Sequence, residues 1–146
     1  LKRAADMGYD AFNCGPELEF FLFETGQETP VTMLRCFEQV GCDNLAVNLD
    51  TANLILYGKG NSADAITVFG KYVMDTHIKD GLYPTSGKEL GTEVKVGEGM
   101  ANIPEVIKRL SAVGYTGNYI IEREISGDKQ TEDIKATVTF LKNIMR

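Results

Sequence analysis

Hydrophobic and polar positions fall along the chain in blocks that alternate between strand-like and helix-like spacing. Leu1 to Met7 is rich in helix formers, and Gly8 suits a helix end. Leu18-Glu19-Phe20-Phe21-Leu22-Phe23, set between Gly15-Pro16 and Thr25-Gly26, predicts a first strand. Thr29-Pro30 places proline just inside a helix start and predicts a helix to about Val40, closed by Gly41. Leu45 to Asp50 predicts a second strand, Ser62 to Gly70 a helix, and Tyr72 to Lys79 a third strand. Residues 81–99 are polar and contain glycine, which predicts a long loop of the kind kept for a functional lid. Ile103-Pro104 opens a helix ending near Gly114, Asn118 to Glu122 forms the fourth strand, and Thr131 to Met145 the closing helix.

Four strand–helix units behind a leading helix predict an α/β fold with a parallel sheet and crossover helices. Side-chain parity says which face of each strand does what. Leu45, Val47 and Leu49 oppose Ala46, Asn48 and Asp50; Met74, Thr76 and Ile78 oppose Asp75, His77 and Lys79; Tyr119 and Ile121 oppose Ile120 and Glu122. One face is apolar enough to lie under helices. The other brings an acid or an imidazole to each strand's C-terminal end, as in a barrel interior or an open crevice.

Composition changes this picture little. Hydrophobic residues make up 43% and charged residues 25%, which excludes a disordered or fibrous chain. Fifteen Lys and Arg stand against 21 Asp and Glu, a net charge of −6 that argues against a large nucleic-acid footprint but not against a small anionic metabolite. No apolar run approaches the ~20 residues of a membrane span, and no basic-then-apolar leader opens the chain. Cys14, Cys36 and Cys42 show no C-x-x-C spacing and read as reduced thiols, so a cytoplasmic protein is expected.

Four strand ends carry Glu24, Asp50, His77 and Glu122. The first two intervals each match one strand–helix repeat, and the third is a repeat lengthened by the loop at 81–99. If successive strands are neighbours, the four side chains converge where α/β enzymes keep their sites. Three carboxylates and one imidazole make a hard donor set suited to Mn²⁺, Mg²⁺, Co²⁺ or a catalytic Zn²⁺. Each residue alone is equally well explained as a cap or a solvated side chain; their common phase favours a site. His77 is the sole histidine, so any imidazole chemistry must be its own.

Phe23-Glu24-Thr25-Gly26-Gln27-Glu28-Thr29-Pro30, Val47-Asn48-Leu49-Asp50-Thr51-Ala52-Asn53-Leu54, His77-Ile78-Lys79-Asp80-Gly81, Val96-Gly97-Glu98-Gly99 and Ile121-Glu122-Arg123-Glu124-Ile125-Ser126-Gly127 together resemble the sugar phosphate isomerase/epimerase family with a xylose-isomerase-like barrel. The resemblance runs over roughly residues 23–146, in the order of the family's last four strand–helix units. It implies a (β/α)8 fold with a divalent metal held by Glu24, Asp50, His77 and Glu122. It further implies proton transfer beside a sugar carbonyl, with Glu24 and Glu122 as the acid/base pair and a sugar or sugar phosphate as the small-molecule partner. Asn53 stands where the family places a substrate contact or, in related endonucleases, a histidine ligand; asparagine here argues against the multi-zinc branch. Glu98 in the long loop is a candidate to face the substrate, and Arg123 a candidate to hold a hydroxyl or phosphate. A surface role for each is the alternative.

The opening resembles something else. Residues 2–23, with Gly15-Pro16-Glu17-Leu18-Glu19-Phe20-Phe21-Leu22-Phe23, are similar to the start of the catalytic domain of glutamine synthetase, where the two glutamates bind metals. Leu18 replaces the usual proline. The synthetase's histidine-bearing motifs cannot exist in a chain with one histidine, and in an unbroken strand Glu17 and Glu19 face away from Glu24. This predicts a helix–strand unit joined near residue 23 to an isomerase-like segment, by natural fusion or as a chimera, and makes glutamine synthesis the weakest functional reading.

A closed (β/α)8 barrel takes about 250 residues, so a chain of 146 holds only part of one. The expectation is therefore a single α/β domain equivalent to a (βα)4 half-barrel. Its open edges are hidden either by a second copy completing an eight-stranded barrel or by flattening into a flavodoxin-like open sheet. The functional expectation is a metal-dependent sugar or sugar-phosphate isomerase or epimerase, partial or vestigial, against a non-catalytic fragment or scaffold. Gly58-Lys59-Gly60-Asn61-Ser62 lacks the order of a phosphate loop and reads as an ordinary helix lead-in.

Overall fold

A computed structural model describes residues 6–8 and 30–145. The predicted first strand, Thr29, most of the leading helix, and Glu17, Glu19 and Glu24 lie outside the described residues. In chain order the elements are α1 (Pro30–Val40), β1 (Val47–Asp50), α2 (Asn53–Leu56), α3 (Ser62–Phe69), a 3-10 turn (Gly70–Tyr72), β2 (Val73–Ile78), β3 (Asp80–Leu82), β4 (Thr92–Val94), α4 (Ile103–Ala112), β5 (Tyr119–Ile121) and α5 (Asp128–Ile144).

β1, β2 and β5 form a parallel three-stranded sheet in that order, confirming the α/β fold with sequential strands as neighbours. The strands lie side by side in chain order, as in part of a barrel wall, and among the described residues they do not close into a barrel. Asp50 pairs with His77, and His77 with Ile120, so the polar face carries Asn48, Asp50, Asp75, His77 and Ile120 in register. The register slips once, between Val47 and Asn48, where Val47 faces Val73 but Asn48 faces Asp75. Met74 is the extra residue of this bulge and is 69% exposed, not under the helices as strict alternation predicts.

The opposite face is covered. Val47, Leu49 and Val73 pack with Phe37 of α1, Ala63, Ala65, Ile66 and Phe69 of α3, and Val106 and Leu110 of α4. A second cluster joins Ile55, Ile78, Val96, Ala101, Ile103 and Leu141 beside the strands' C-terminal ends. Ile103, Val106 and Leu110 are all buried at helical spacing, which gives α4 its docking stripe. Asn61 caps α3, its side-chain oxygen accepting from the Asp64 N–H at 2.9 Å.

Two further expectations change. Residues 81–99 are not a plain loop: β3 and β4 pair as an antiparallel hairpin inside it. The closing helix starts at Asp128, three residues before Thr131, because Gly127 at φ +82 breaks the extended chain there.

The hairpin is anchored by one buried carboxylate. Asp80 accepts four backbone N–H bonds, from Gly81 and Ala101 on one oxygen and from Gly97 and Gly99 on the other, all between 2.9 and 3.0 Å. This explains the glycine at position 99, where a Cβ would stand 2.2 Å from Asp80 Oδ1. The motifs His-Ile-Lys-Asp-Gly and Val-Gly-Glu-Gly are thus two sides of one clamp beneath the sheet's C-terminal rim.

Candidate metal centre

The strand ends are fixed before any side chain reaches the site. The Thr51 N–H donates to the His77 carbonyl at 3.0 Å and the Glu122 N–H to the Ile78 carbonyl at 3.2 Å, extending the ladder past the strands. Thr51 Oγ1 donates to the Lys79 carbonyl at 2.5 Å and accepts from the Lys79 N–H at 2.9 Å. Ser62 Oγ, wholly buried, donates to the Thr51 carbonyl at 2.9 Å. The turn after β1 therefore sits rigidly against the end of β2.

On that rim Asp50, His77 and Glu122 converge. Each offers a donor atom, and the three lie within 4.8 Å of one another. Two donors of one ion, each at about 2.0–2.6 Å from it, can be at most about 5 Å apart, so these atoms fit a shared divalent cation. His77 Nδ1 is 3.1 Å from Glu122 Oε2, and its Nε2 is 3.3 Å from the Asn48 amide nitrogen, which holds the ring between two partners.

Asp50 is divided in function. Its Oδ1 accepts from the Ala52 and Asn53 N–H groups at 2.7 and 3.0 Å, turning the chain into α2, while Oδ2 faces the cleft. Burial pushes its carboxyl up to about 6, against the lowering pull of those hydrogen bonds and of Lys79. A buried carboxyl that ionises reluctantly in the absence of a cation is a suitable ligand for one.

Lys79, two residues after His77 and on the same face, is 3% exposed. Its ammonium lies 2.7 Å from Glu124 Oε1 and 3.6 Å from both Asp50 Oδ2 and Glu122 Oε2. Burial opposes this charge, but the hydrogen bond to Glu124 and the fields of Asp50 and Glu122 outweigh it and hold the pKa above its ordinary value. Glu93 of β4 accepts from the Glu124 N–H at 3.2 Å and pairs with Arg123 at 2.8 Å, tying the hairpin to the residues after β5.

These residues line a cleft of about 440 Å³ whose walls include Asn53, Leu56, Tyr57, Leu90 and Gly91. Of the residues singled out from sequence, the structure brings Asp50, His77, Glu122 and Asn53 together. It places Glu98 at the surface, 57% exposed and paired with Lys95, away from the cleft lining. Arg123 turns the other way, binding Glu93 and, at 3.0 Å, Asp133 of α5. Glu24 lies outside the described residues. Sequence reasoning missed Asn48, Lys79, Glu93 and Glu124 as site residues. Parity already placed Asn48 with Asp50, Lys79 with His77, and Glu124 two residues beyond Glu122; nothing local marks Glu93, which only the hairpin delivers.

A sequence profile described as xylose isomerase-like TIM barrel matches residues 18–144. The crystal structure of a xylose isomerase domain protein from Planctomyces limnophilus is similar with a TM-score of 0.77 and 37% identity, over 82% of this chain and 44% of that one. A xylose isomerase-like TIM barrel protein from Mycobacterium smegmatis, solved in complex with magnesium, has a TM-score of 0.61 at 18% identity, over 81% and 41%, a likeness of fold alone. No curated protein sequence matches significantly. The chain spans less than half the length of these solved structures. The profile begins inside the segment that resembles glutamine synthetase, and no comparison supports a join near residue 23. With its parallel sheet of sequential strands and the order of its motifs, the chain belongs to the xylose isomerase-like TIM barrel family.

Proposed function

We propose that this chain carries the metal-binding part of a divalent-metal-dependent isomerase or epimerase acting on a sugar or sugar phosphate. The observation that carries the proposal is the convergence of Asp50, His77 and Glu122 within 4.8 Å at the C-terminal ends of three adjacent parallel strands. A divalent cation, when bound, polarises a ketose carbonyl and makes the neighbouring C–H more acidic. Asp50 and His77 would hold that ion, with Glu122 and Glu24 completing the set.

The chain's own groups supply the rest. The carboxylate of Glu122 is about one-third exposed to the cleft, which leaves it accessible to take a proton from a bound sugar and return it. Glu24 is the proposed second acid/base group. Asn53, in the cleft wall, offers an amide donor and acceptor to sugar hydroxyls. A contact from Glu98 or Arg123 requires either to give up its present partners.

The test is solvent proton exchange. With Mn²⁺ and a panel of ketoses and ketose phosphates in D₂O, the carbon beside the carbonyl should take up deuterium. Glu122→Gln should abolish uptake while retaining metal, and His77→Ala should lose both. Absence of exchange with every sugar, despite metal binding, would leave a metal-binding scaffold in place of an enzyme.

A further inference from the structure

Lys79 is a charged group of the cleft that the proposed chemistry does not use. It lies within 3.6 Å of Asp50 Oδ2 and Glu122 Oε2, carboxylate oxygens of two proposed ligands, and its side chain is only 4% exposed. Only the Glu124 contact, at 2.7 Å, is a hydrogen bond; the two at 3.6 Å are electrostatic alone. A buried ammonium so placed draws together two carboxylates that would otherwise repel each other.

We propose that Lys79 is a positioning residue that acts as an internal stand-in for the metal. It holds the Asp50 and Glu122 carboxylates together in the metal-free protein, and it sets metal affinity by competing for them. Glu124 is the other arm of the device: it draws the ammonium toward itself and so weakens its hold on the ligands. The inference rests on the metal reading above, because the ligands that Lys79 holds are those assigned there.

Two opposite changes in affinity follow. An ion on the same oxygens carries twice the charge of the ammonium and is repelled by it, so removing Lys79 removes a repulsion larger than the preorganisation it provides. Lys79→Met should therefore bind Mn²⁺ more tightly, by about tenfold or more. Glu124→Gln should release Lys79 toward Asp50 and Glu122 and bind Mn²⁺ several-fold more weakly. A purely structural lysine predicts weaker or unchanged binding in both.

The experiment uses the full chain and Mn²⁺ alone, with free ion read by electron paramagnetic resonance and the metal-free proteins compared by thermal melting. Tighter binding in Lys79→Met, weaker in Glu124→Gln, wild-type behaviour in Lys79→Arg, and a lower metal-free melting temperature in Lys79→Met support the proposal. Binding by Lys79→Met where the wild type binds none supports it also. Equal or weaker binding by Lys79→Met beside a wild type that binds overturns the role of Lys79 and leaves the metal site standing. No binding by either protein overturns both. If Lys79→Met does not fold, Lys79→Gln is measured in its place, with tighter Mn²⁺ binding than wild type supporting the proposal and equal or weaker binding overturning it.

Discussion

Replacing Asp50 by asparagine separates the burden this side chain places on the fold from its use to a metal. Asparagine retains an oxygen to accept from the Ala52 and Asn53 N–H groups, so the turn into α2 survives. What it removes is a carboxyl whose pKa is pushed from 3.8 to about 6 by burial. That difference corresponds to about 3 kcal/mol of ionisation disfavoured in the fold relative to the unfolded chain. Because the folded pKa is the higher one, the fold binds this proton more tightly than the unfolded chain. The resulting stability is fully present below pH 3.8 and is lost as pH rises through about 6. The substitution also turns an amide toward Lys79, which offsets part of the gain. Metal-free Asp50→Asn should thus be more stable than wild type by about 1–3 kcal/mol at pH 7.5, with the gap closing toward pH 4. Urea unfolding in EDTA at several pH values measures this difference directly, and carboxyls lowered by ion pairs, such as Asp133 beside Lys129 and Arg123, cancel in it. Saturating Mn²⁺ should reverse the order, since only the wild type gains binding energy. Parallel pH profiles for the two proteins, or a wild type that gains on the variant as pH rises, would refute the reasoning.

Asp80→Ala leaves four backbone N–H groups without their acceptor and should cost about 3–5 kcal/mol, with faster amide exchange at Gly97, Gly99 and Ala101. Gly99→Ala forces a Cβ against the same carboxylate and should lower stability by at least about 2 kcal/mol, read by the same unfolding assay; a neutral result would show that the loop shifts freely. Leu110→Ala, at a fully buried position between sheet and helices, should cost about 2–5 kcal/mol without changing Mn²⁺ affinity. Arg123→Met leaves Asp133 with Lys129 as its one remaining cationic partner and Glu93 without its pair, and should lower the melting temperature; it should also loosen Glu93 and with it the wall of the cleft, visible as altered Mn²⁺ relaxation of bound water.

Much of the architecture is written locally. Alternation of apolar residues in Leu45–Asp50 and Asn118–Glu122, the proline after Thr29 and the Ile103-Pro104 lead-in set strand and helix positions through periodicity and backbone restriction alone. Asp50, His77 and Glu122 were legible as a set because parity places each on the polar face of its strand, and parallel neighbours bring equivalent ends together. Length against a full barrel, and the motif order, pointed to part of a barrel wall, which the three-stranded parallel sheet and the family match support.

Tertiary structure decided what depends on residues distant in the chain. The bulge at Met74 is a feature of how β2 pairs with β1, a strand about 25 residues earlier, and nothing in β2's own alternation marks it. The hairpin within 80–94 is tied down by Asp80, which gathers N–H groups from residues 97–101, and no local pattern announces an acceptor so far away. Charge partners are the same case. Arg123 pairs with Glu93 and Asp133, while Lys79 lies among Asp50, Glu122 and Glu124. Side-chain type and parity say where a charge starts, but its energy is set by the burial and neighbours that only packing supplies.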